Sequence, residues 1–134
     1  MRNKPKVLIT AIFFISLLLV GCATMPINLG DMGRVPNENE SVIVIQRANV
    51  FVGSAVNMKI YLNGQHRLTI GNGQEGHIIV PNGSYNLFAE INRHTRSENI
   101  VVNANSQRIT FIASPKMGFW SNSIELSLSF ETPL

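Results

Sequence analysis

The sequence predicts an all-β fold, a single antiparallel β-sandwich of about seven or eight short strands formed by residues 41–134. Short segments rich in β-branched and aromatic residues are separated by Gly, Asn or Pro, which is the pattern of strands joined by turns. No segment keeps a helical period over about ten residues. In the last segment, apolar residues alternate with Glu and Ser, as in a strand with one buried face: Ile124, Leu126, Leu128 and Phe130.

The first predicted hairpin surrounds Asn63 and Gly64. A two-residue loop at these positions would place apolar Ile60 opposite Arg67 and interrupt the apolar face. A three-residue loop of residues 62–64, with Gly64 as the left-handed residue of a bulged hairpin, instead pairs apolar residues: Met58 with Leu68 and Val56 with Ile70. We therefore expect the three-residue loop.

The second predicted hairpin has a tight turn at Asn82 and Gly83. This turn sets apolar residues of the two flanking strands against one another: Val80 against Tyr85 and Ile78 against Leu87. We expect these two strands to be neighbours in the sheet.

The only cysteine, Cys22, has no second cysteine to pair with, and it follows a segment with the order of a secretory signal. The apolar residues 7–20 and the small Gly21 come directly before it. Three basic residues precede the apolar run: Arg2, Lys4 and Lys6. A membrane-spanning helix needs about 20 apolar residues to cross roughly 30 Å of hydrocarbon, so this run is too short to span. We expect residues 1–21 to be a cleaved signal peptide, with an uncleaved anchor as the alternative.

The residues that end this segment resemble the lipobox of bacterial lipoproteins: Leu19, Val20, Gly21 and Cys22. The resemblance implies that the Cys22 thiol carries two palmitate-type acyl chains and that the protein is cut just before it. Two chains anchor a protein stably, since each buried methylene contributes about 0.8 kcal/mol. Ala23 stands where an aspartate would retain such a protein in the inner membrane, which implies the outer membrane, facing the periplasm.

Removal of the signal peptide leaves a nearly neutral protein. Three of the 11 Lys and Arg residues precede Cys22, and the remaining eight equal the 8 Asp and Glu residues. No basic arm is left to neutralise phosphates, so nucleic acid is not an expected partner.

Residues 22–40 are predicted to be the lipidated cysteine and a flexible tether. They contain Pro, Gly and Asn without a sustained period. The alternative is that Ile27 or Leu29 packs onto the domain as an extra edge.

A further resemblance covers roughly residues 41–113. A strand, Asn63 and Gly64, a second strand, a polar stretch and an apolar strand that ends at Pro81, Asn82 and Gly83 resemble a PEGA-type domain. With the lipobox in front, the chain is similar to small bacterial lipoproteins of unknown function that carry a PEGA-related β-sandwich. The resemblance implies a sandwich like those of transthyretin and carboxypeptidase-regulatory domains, and it brings no catalytic residues.

The residues of the domain indicate no catalytic or metal site. The three histidines lack the close spacing of metal ligands: His66, His77 and His94. The domain has no nucleophile elbow, and the only aspartate, Asp31, precedes it, so a Ser-His-Asp triad is not expected. We therefore expect a non-enzymatic protein without a cofactor or a metal.

Residues 114–122 are the candidate contact loop. A proline and a glycine interrupt the strand pattern there, yet large apolar residues follow Lys116: Met117, Phe119 and Trp120. Because loops are usually polar, this cluster predicts either a plug over the open end of the sandwich or a contact surface for a membrane or a partner. Large aromatic residues in small domains are mostly buried, which favours the plug.

Together these patterns predict a lipid-anchored, non-enzymatic structural or interaction module of the bacterial envelope. Its expected partners are the membrane, through the lipid on Cys22, and an envelope protein or glycan that the sequence does not identify. The alternative is an accessory glycan- or peptide-binding subunit of an envelope hydrolase, transport or secretion assembly.

Overall fold

A computed structural model describes residues 25–51, 53–119 and 121–134. Cys22 and Trp120 lie outside these residues, as does the predicted signal peptide. The described part of the chain forms one sheet of nine strands, so the predicted all-β class is confirmed. The strands are β1 (Glu40–Arg47), β2 (Met58–Leu62), β3 (Gln65–Ile70), β4 (Glu75–Pro81), β5 (Gly83–Asn92), β6 (Thr95–Arg96), β7 (Ile100–Ala104), β8 (Gln107–Met117) and β9 (Asn122–Pro133).

The sheet is mixed, so the prediction of a purely antiparallel architecture is wrong. Its strand order is β3-β2-β5-β6-β9-β8-β1-β4, with β7 beside β5. β1 runs parallel to β8, and β6 runs parallel to β9, while the other pairs are antiparallel. β1 reads as a continuous apolar run because both of its faces are buried: Ile43 and Ile45 lie in the main core cluster, and Val42 and Val44 lie in a smaller cluster with Ile79.

A segment before β1 lies between the two ends of this order, and it makes the sheet nearly closed and barrel-like. Asn28 exchanges backbone hydrogen bonds of 2.8 and 2.9 Å with Thr69 of β3. On the other side, the His77 amide of β4 donates to the Leu29 carbonyl at 3.1 Å, and the Asp31 amide donates to the His77 carbonyl at 2.8 Å. Leu29 also packs against the core. The free tether predicted for residues 22–40 is therefore wrong for residues 28–31, for which the alternative of packing onto the domain is correct.

The core lies inside the nearly closed sheet. One cluster joins buried side chains from strands on opposite sides of it, such as Ile43 of β1, Ile60 of β2, Leu87 of β5 and Ile109 of β8. Each of these four is at most 1 % exposed, so burial of apolar surface is the main source of stability.

The first hairpin has the two-residue turn that the sequence argument rejects. Leu62 pairs with Gln65, and both turn residues have positive φ, 51° for Asn63 and 75° for Gly64. A register shift after Ile60 leaves Arg67 as an extra residue, so that Ile60 faces Leu68 and Met58 faces Ile70. The predicted three-residue loop is wrong because a bulge in β3, rather than a longer loop, restores the apolar face.

The second predicted hairpin is also wrong. β4 pairs with β1, whereas β5 pairs with β2, β6 and β7, so the chain crosses to another part of the sheet at residues 82–83. Asn82 holds this crossing in place: its Oδ1 accepts from the Ser41 hydroxyl at 2.9 Å and from the Ser106 amide at 2.7 Å. Asn82 thus ties the crossover to β1 and to the turn that precedes β8.

Candidate functional site

Several connections meet at one end of the sheet, which we call the loop end: residues 48–51, 53–57, 93–94, 118–119 and 121. Because β1 and β8 are parallel, the chain leaves both strands at the same end. The pairing of Lys59 with Glu90 brings the start of β2 and the end of β5 to that end as well. The loop end is thus assembled from three connections that are distant in sequence.

Large apolar side chains are exposed at the loop end. Phe51 is 94 % exposed and Phe119 is 90 % exposed. Val56 and Met117 are also exposed, each by more than two fifths. Two almost fully exposed phenylalanines on neighbouring connections are uncommon in a soluble domain and indicate a contact surface.

The connection that carries Phe51 is fixed by a buried cation. Arg47, 2 % exposed, donates from Nη1 to the Val56 carbonyl at 2.7 Å and to the Ile70 carbonyl at 3.1 Å, and from Nη2 to the Gly53 carbonyl at 2.8 Å. Burial lowers the pKa of the Arg47 guanidinium below its usual value. The main chain around Phe51 is therefore anchored to the core, so the outward position of this side chain has a structural cause.

Asparagine side chains complete this anchor. The Asn72 Oδ1 accepts from the Val50 amide at 3.0 Å, and the Asn72 Nδ2 donates to the Asn49 Oδ1 at 2.7 Å. These bonds tie the residues before Phe51 to the turn between β3 and β4. Sequence reasoning missed Phe51, whose only signal is a large aromatic residue in a stretch with Asn, Gly and Ser.

The predicted contact loop is shorter than expected, because residues 114–117 belong to β8. β8 and β9 form a hairpin in which Met117 pairs with Asn122 and the Gly118 amide donates to the Ser121 carbonyl at 2.8 Å. Pro115 is tolerated since β1 pairs with β8 only as far as Ala113, so the missing N–H leaves no ladder partner unsatisfied there.

The residues predicted for this loop are placed as follows. Lys116 forms an ion pair with Glu125 across the hairpin. Met117 extends towards Gly53 of the neighbouring connection. Phe119 points outward and does not fill the core, so it does not act as the favoured plug. Trp120 lies outside the described residues, and its burial stays a prediction.

The charged groups near the loop end are mostly paired carboxylates. Glu125 is paired with Lys116, Glu90 lies 3.5 Å from the Arg96 Nε, and the Glu75 Oε1 lies 2.6 Å from the His77 Nε2. The hydrogen bond from His77 holds the pKa of Glu75 below its usual value. Exposed Arg93, in the connection after β5, has no carboxylate among the ion pairs that the described residues form. Exposed Glu98, which lies near Lys116 and Glu125, likewise belongs to none of these ion pairs, so the surface charges at this end nearly balance.

A second feature is a groove where the sheet is open. β7 pairs only with β5, and β9 pairs with β8 and, at a single position, with β6, so the facing edges of β7 and β9 do not pair with each other in the described sheet. The groove between them has a volume of about 480 Å³ and an apolar floor: Ile100, Val102, Phe111 and Leu126. Its rim carries Val101 and Leu128, both more than half exposed.

The alternation predicted for β9 fails at this groove. Ile124 is buried, but Leu128 and Phe130 are about half exposed. A register shift pairs Thr110 with Phe130 and Phe111 with Leu128, which leaves Ser129 as an extra residue. Sequence periodicity cannot reveal the groove, since it arises from a bulge and from two edges that are far apart in the chain.

The histidines do not converge. The His66 Nε2 lies 2.8 Å from the Leu68 carbonyl oxygen and 2.9 Å from the Thr69 hydroxyl, whereas His77 is paired with Glu75. In residues 25–51, 53–119 and 121–134 there is no group of three or more His, Cys, Asp or Glu side chains arranged to hold a metal ion.

Two aromatic rings on the outer face of β2 and β5 stack on each other, so their facing sides are covered. Tyr61 and Phe88 stack with ring centroids 4.6 Å apart, and the Arg96 guanidinium lies 4.7 Å from the Phe88 centroid. Burial, with Glu90 nearby, raises the pKa of Tyr61 above its usual value. These rings stabilise the strand pair and leave no open ring face between them for a ligand.

The candidate surfaces of the described chain are therefore the loop end and the groove. Within that part of the chain, no helix is long and apolar enough to cross a membrane. No protein-family model matches the chain, and no curated protein matches its sequence.

Proposed function

We propose that the chain is a lipid-anchored lipoprotein of the bacterial envelope that acts as a non-enzymatic structural or interaction module. The observation that carries the proposal is the order of basic residues, an apolar run too short to span a membrane, and the lipobox that ends at Cys22. The near-neutral charge of the remaining chain and the two apolar surfaces of the domain support a role in contacts rather than in catalysis.

Mass spectrometry of the membrane fraction tests the anchor. The expected N-terminal peptide begins at an acylated Cys22, and Cys22→Ser releases the protein from the membrane fraction. Sucrose-gradient separation of inner and outer membranes then tests the outer-membrane location. An intact Met1 terminus with a free thiol contradicts the proposal.

A second candidate, an accessory subunit that binds a peptide or a glycan, is favoured by the groove between β7 and β9. Two unpaired strand edges that flank an apolar floor are suited to an extended peptide, whose main chain can add to an edge while alternate side chains enter the groove. A glycan fits the groove less well than a peptide, because the groove residues include no Trp or Tyr on which a sugar ring could stack.

Photo-cross-linking in intact cells separates the two candidates. A photoreactive residue at Leu128, on the groove rim, is compared with one at Val35, which is exposed elsewhere. A single protein captured from Leu128 and not from Val35 supports the peptide-binding subunit. Saturable binding of purified cell-wall glycan that Leu128→Asp abolishes would instead assign the groove to a glycan.

The relation to PEGA-type β-sandwiches is part of the same proposal. Its support is the core, where Ile60 and Leu87 from one side of the sheet pack with Ile43 and Ile109 from the other. An experimental structure with two facing layers would favour the sandwich description, whereas one continuous closed sheet would contradict it.

A further inference from the structure

The described chain begins at the loop end. The Asn57 Nδ2, in the connection that carries Phe51, donates to the Met25 carbonyl at 3.3 Å. From there the chain runs away from the loop end, past Thr69 near the end of β3 and then alongside β4. The described chain therefore begins at the same end of the sheet at which Phe51 and Phe119 are exposed.

The distance from Cys22 to this point is short. Three residue steps separate Cys22 from Met25, and a fully extended chain covers at most about 11 Å over that distance. β1, with 8 residues, is roughly 26 Å long. A lipidated Cys22 would thus hold Met25, at the loop end, within about 11 Å of the membrane surface. The opposite end of the sheet is farther from Met25 than this distance, so it could not face the membrane instead.

We propose that the loop end docks on the lipid surface that holds the acyl chains of Cys22, with Phe51 and Phe119 inserted at the interface. This inference rests on the proposed lipid anchor. Aromatic rings favour the headgroup region, and an interfacial segment buries its apolar face by about 5–10 Å. Two exposed phenylalanines on adjacent connections have the size and position for that depth.

The charges of the loop end nearly balance. Exposed Arg93 and exposed Glu98 take no part in the ion pairs of the described residues, and Lys116 is paired with Glu125. A short tether keeps the local concentration of lipid high, so even a weak contact is populated. The short tether therefore favours a lipid surface over a separate protein as the occupant.

Docking at the loop end has a consequence for the groove. β7 and β9 extend along the side of the sheet, and Leu128 lies several residues from the loop-end hairpin. The groove therefore stays open to the periplasm when the loop end is on the membrane, and the two surfaces can act at the same time.

Quenching of tryptophan fluorescence by brominated acyl chains tests the docking. The full-length lipoprotein is reconstituted in vesicles of phosphatidylethanolamine and phosphatidylglycerol, and Trp120→Phe removes the only native tryptophan. A reporter is then introduced as Phe51→Trp or, as the matched control, Val35→Trp. Val35 is 83 % exposed and follows Arg34, which pairs with Glu40 at the start of β1, the end of the sheet away from the loop end.

The proposal expects several-fold stronger quenching of the Phe51→Trp reporter than of the Val35→Trp reporter.

A second measurement, the reactivity of introduced cysteines, uses the protein with its native Trp120. In vesicles, Phe51→Cys should react several-fold more slowly than Val35→Cys with a water-soluble maleimide. Acylated protein with equal, weak quenching and equal reactivity would overturn the docking and leave the lipid anchor intact. Protection of position 51 that needs an added envelope protein would also overturn it, in favour of a protein partner. A chain without acyl groups on Cys22 would instead overturn the proposed function itself.

Discussion

The guanidinium of Arg47 donates a hydrogen bond of 2.8 Å to the carbonyl oxygen of Gly53, six residues further along the chain. Arg47 is buried, and no carboxylate pairs with it among the ion pairs of the described residues. Carbonyl oxygens of Gly53, Val56 and Ile70 compensate its charge instead. The core and the exposed connection are therefore energetically coupled through one side chain.

Arg47→Met should destabilise the fold by roughly 3 kcal/mol, because it removes three hydrogen bonds that a charged donor makes to buried and part-buried carbonyl oxygens. Urea denaturation measures the loss. The control is Arg93→Met, at an exposed position, which should change stability by less than about 0.5 kcal/mol. Equal effects of the two variants would mean that Arg47 does not fix the connection.

Gly64→Val should destabilise the first hairpin by about 1–2 kcal/mol, because a β-branched residue is disfavoured at the observed φ of 75°. Gly64→Asn is the matched control, since Asn tolerates this conformation and should lose clearly less. Thermal unfolding of both variants provides the comparison. A Gly64→Asn variant as unstable as Gly64→Val would argue against a left-handed turn residue.

Local patterns are sufficient to predict the strands but not their partners. The β-branched and aromatic segments separated by turn residues predict an all-β chain, and the structure has that class. A bulge at Arg67 sets the register of the first hairpin, and the crossover at Asn82 is bonded to Ser41 and Ser106, which are far from it in the chain. The turns next to β1 and β8 contain no residue pattern that predicts the parallel pairing of these two strands.

Only part of the candidate site can be predicted from the sequence, because its connections are distant in the chain. An apolar cluster after Lys116 stands out in the sequence, and Phe119 is exposed in the structure. Phe51 belongs to the same surface, but it is the parallel β1–β8 pair that brings its connection to the same end as residues 118–119 and 121. The groove between β7 and β9 has no local signal at all, because it is the space that two distant strand edges leave unfilled.

Leu87→Ala should cost roughly 2–5 kcal/mol, from lost transfer free energy and the cavity that remains. Leu87 is fully buried in the main core cluster. Val101→Ala, on the exposed rim of the groove, is the control and should have little effect. Denaturant titration of both variants measures the difference, and a loss below about 1 kcal/mol for Leu87→Ala would contradict the proposed core.

Stability should fall on acidification below the usual Glu pKa of 4.5, in part because of Glu75. The hydrogen bond from His77 lowers the pKa of Glu75 in the folded state, so its contribution is complete above the unfolded-state pKa and is lost as the pH falls through the lower folded value. Glu75→Gln should therefore show a smaller loss of stability with acid than the wild type. Equal losses of stability with acid in Glu75→Gln and in the wild type would contradict a stabilising role of the hydrogen bond between His77 and Glu75.

Gly30→Ala should detach the segment that bridges β3 and β4. Gly30 has a φ of 71°, and a Cβ there would collide with the His77 carbonyl oxygen and lie 2.5 Å from the Leu68 Cδ2. Gly33→Ala is a matched control, because Gly33 has a φ of 84° but no atom within 4 Å of such a Cβ. The Thr69 and His77 amides donate to the Asn28 and Leu29 carbonyl oxygens of this segment, so their hydrogen exchange reports whether it is attached. Both amides should exchange faster in Gly30→Ala than in Gly33→Ala. Equal exchange in the two variants would mean that the segment is not held by the close approach of Gly30 to β4.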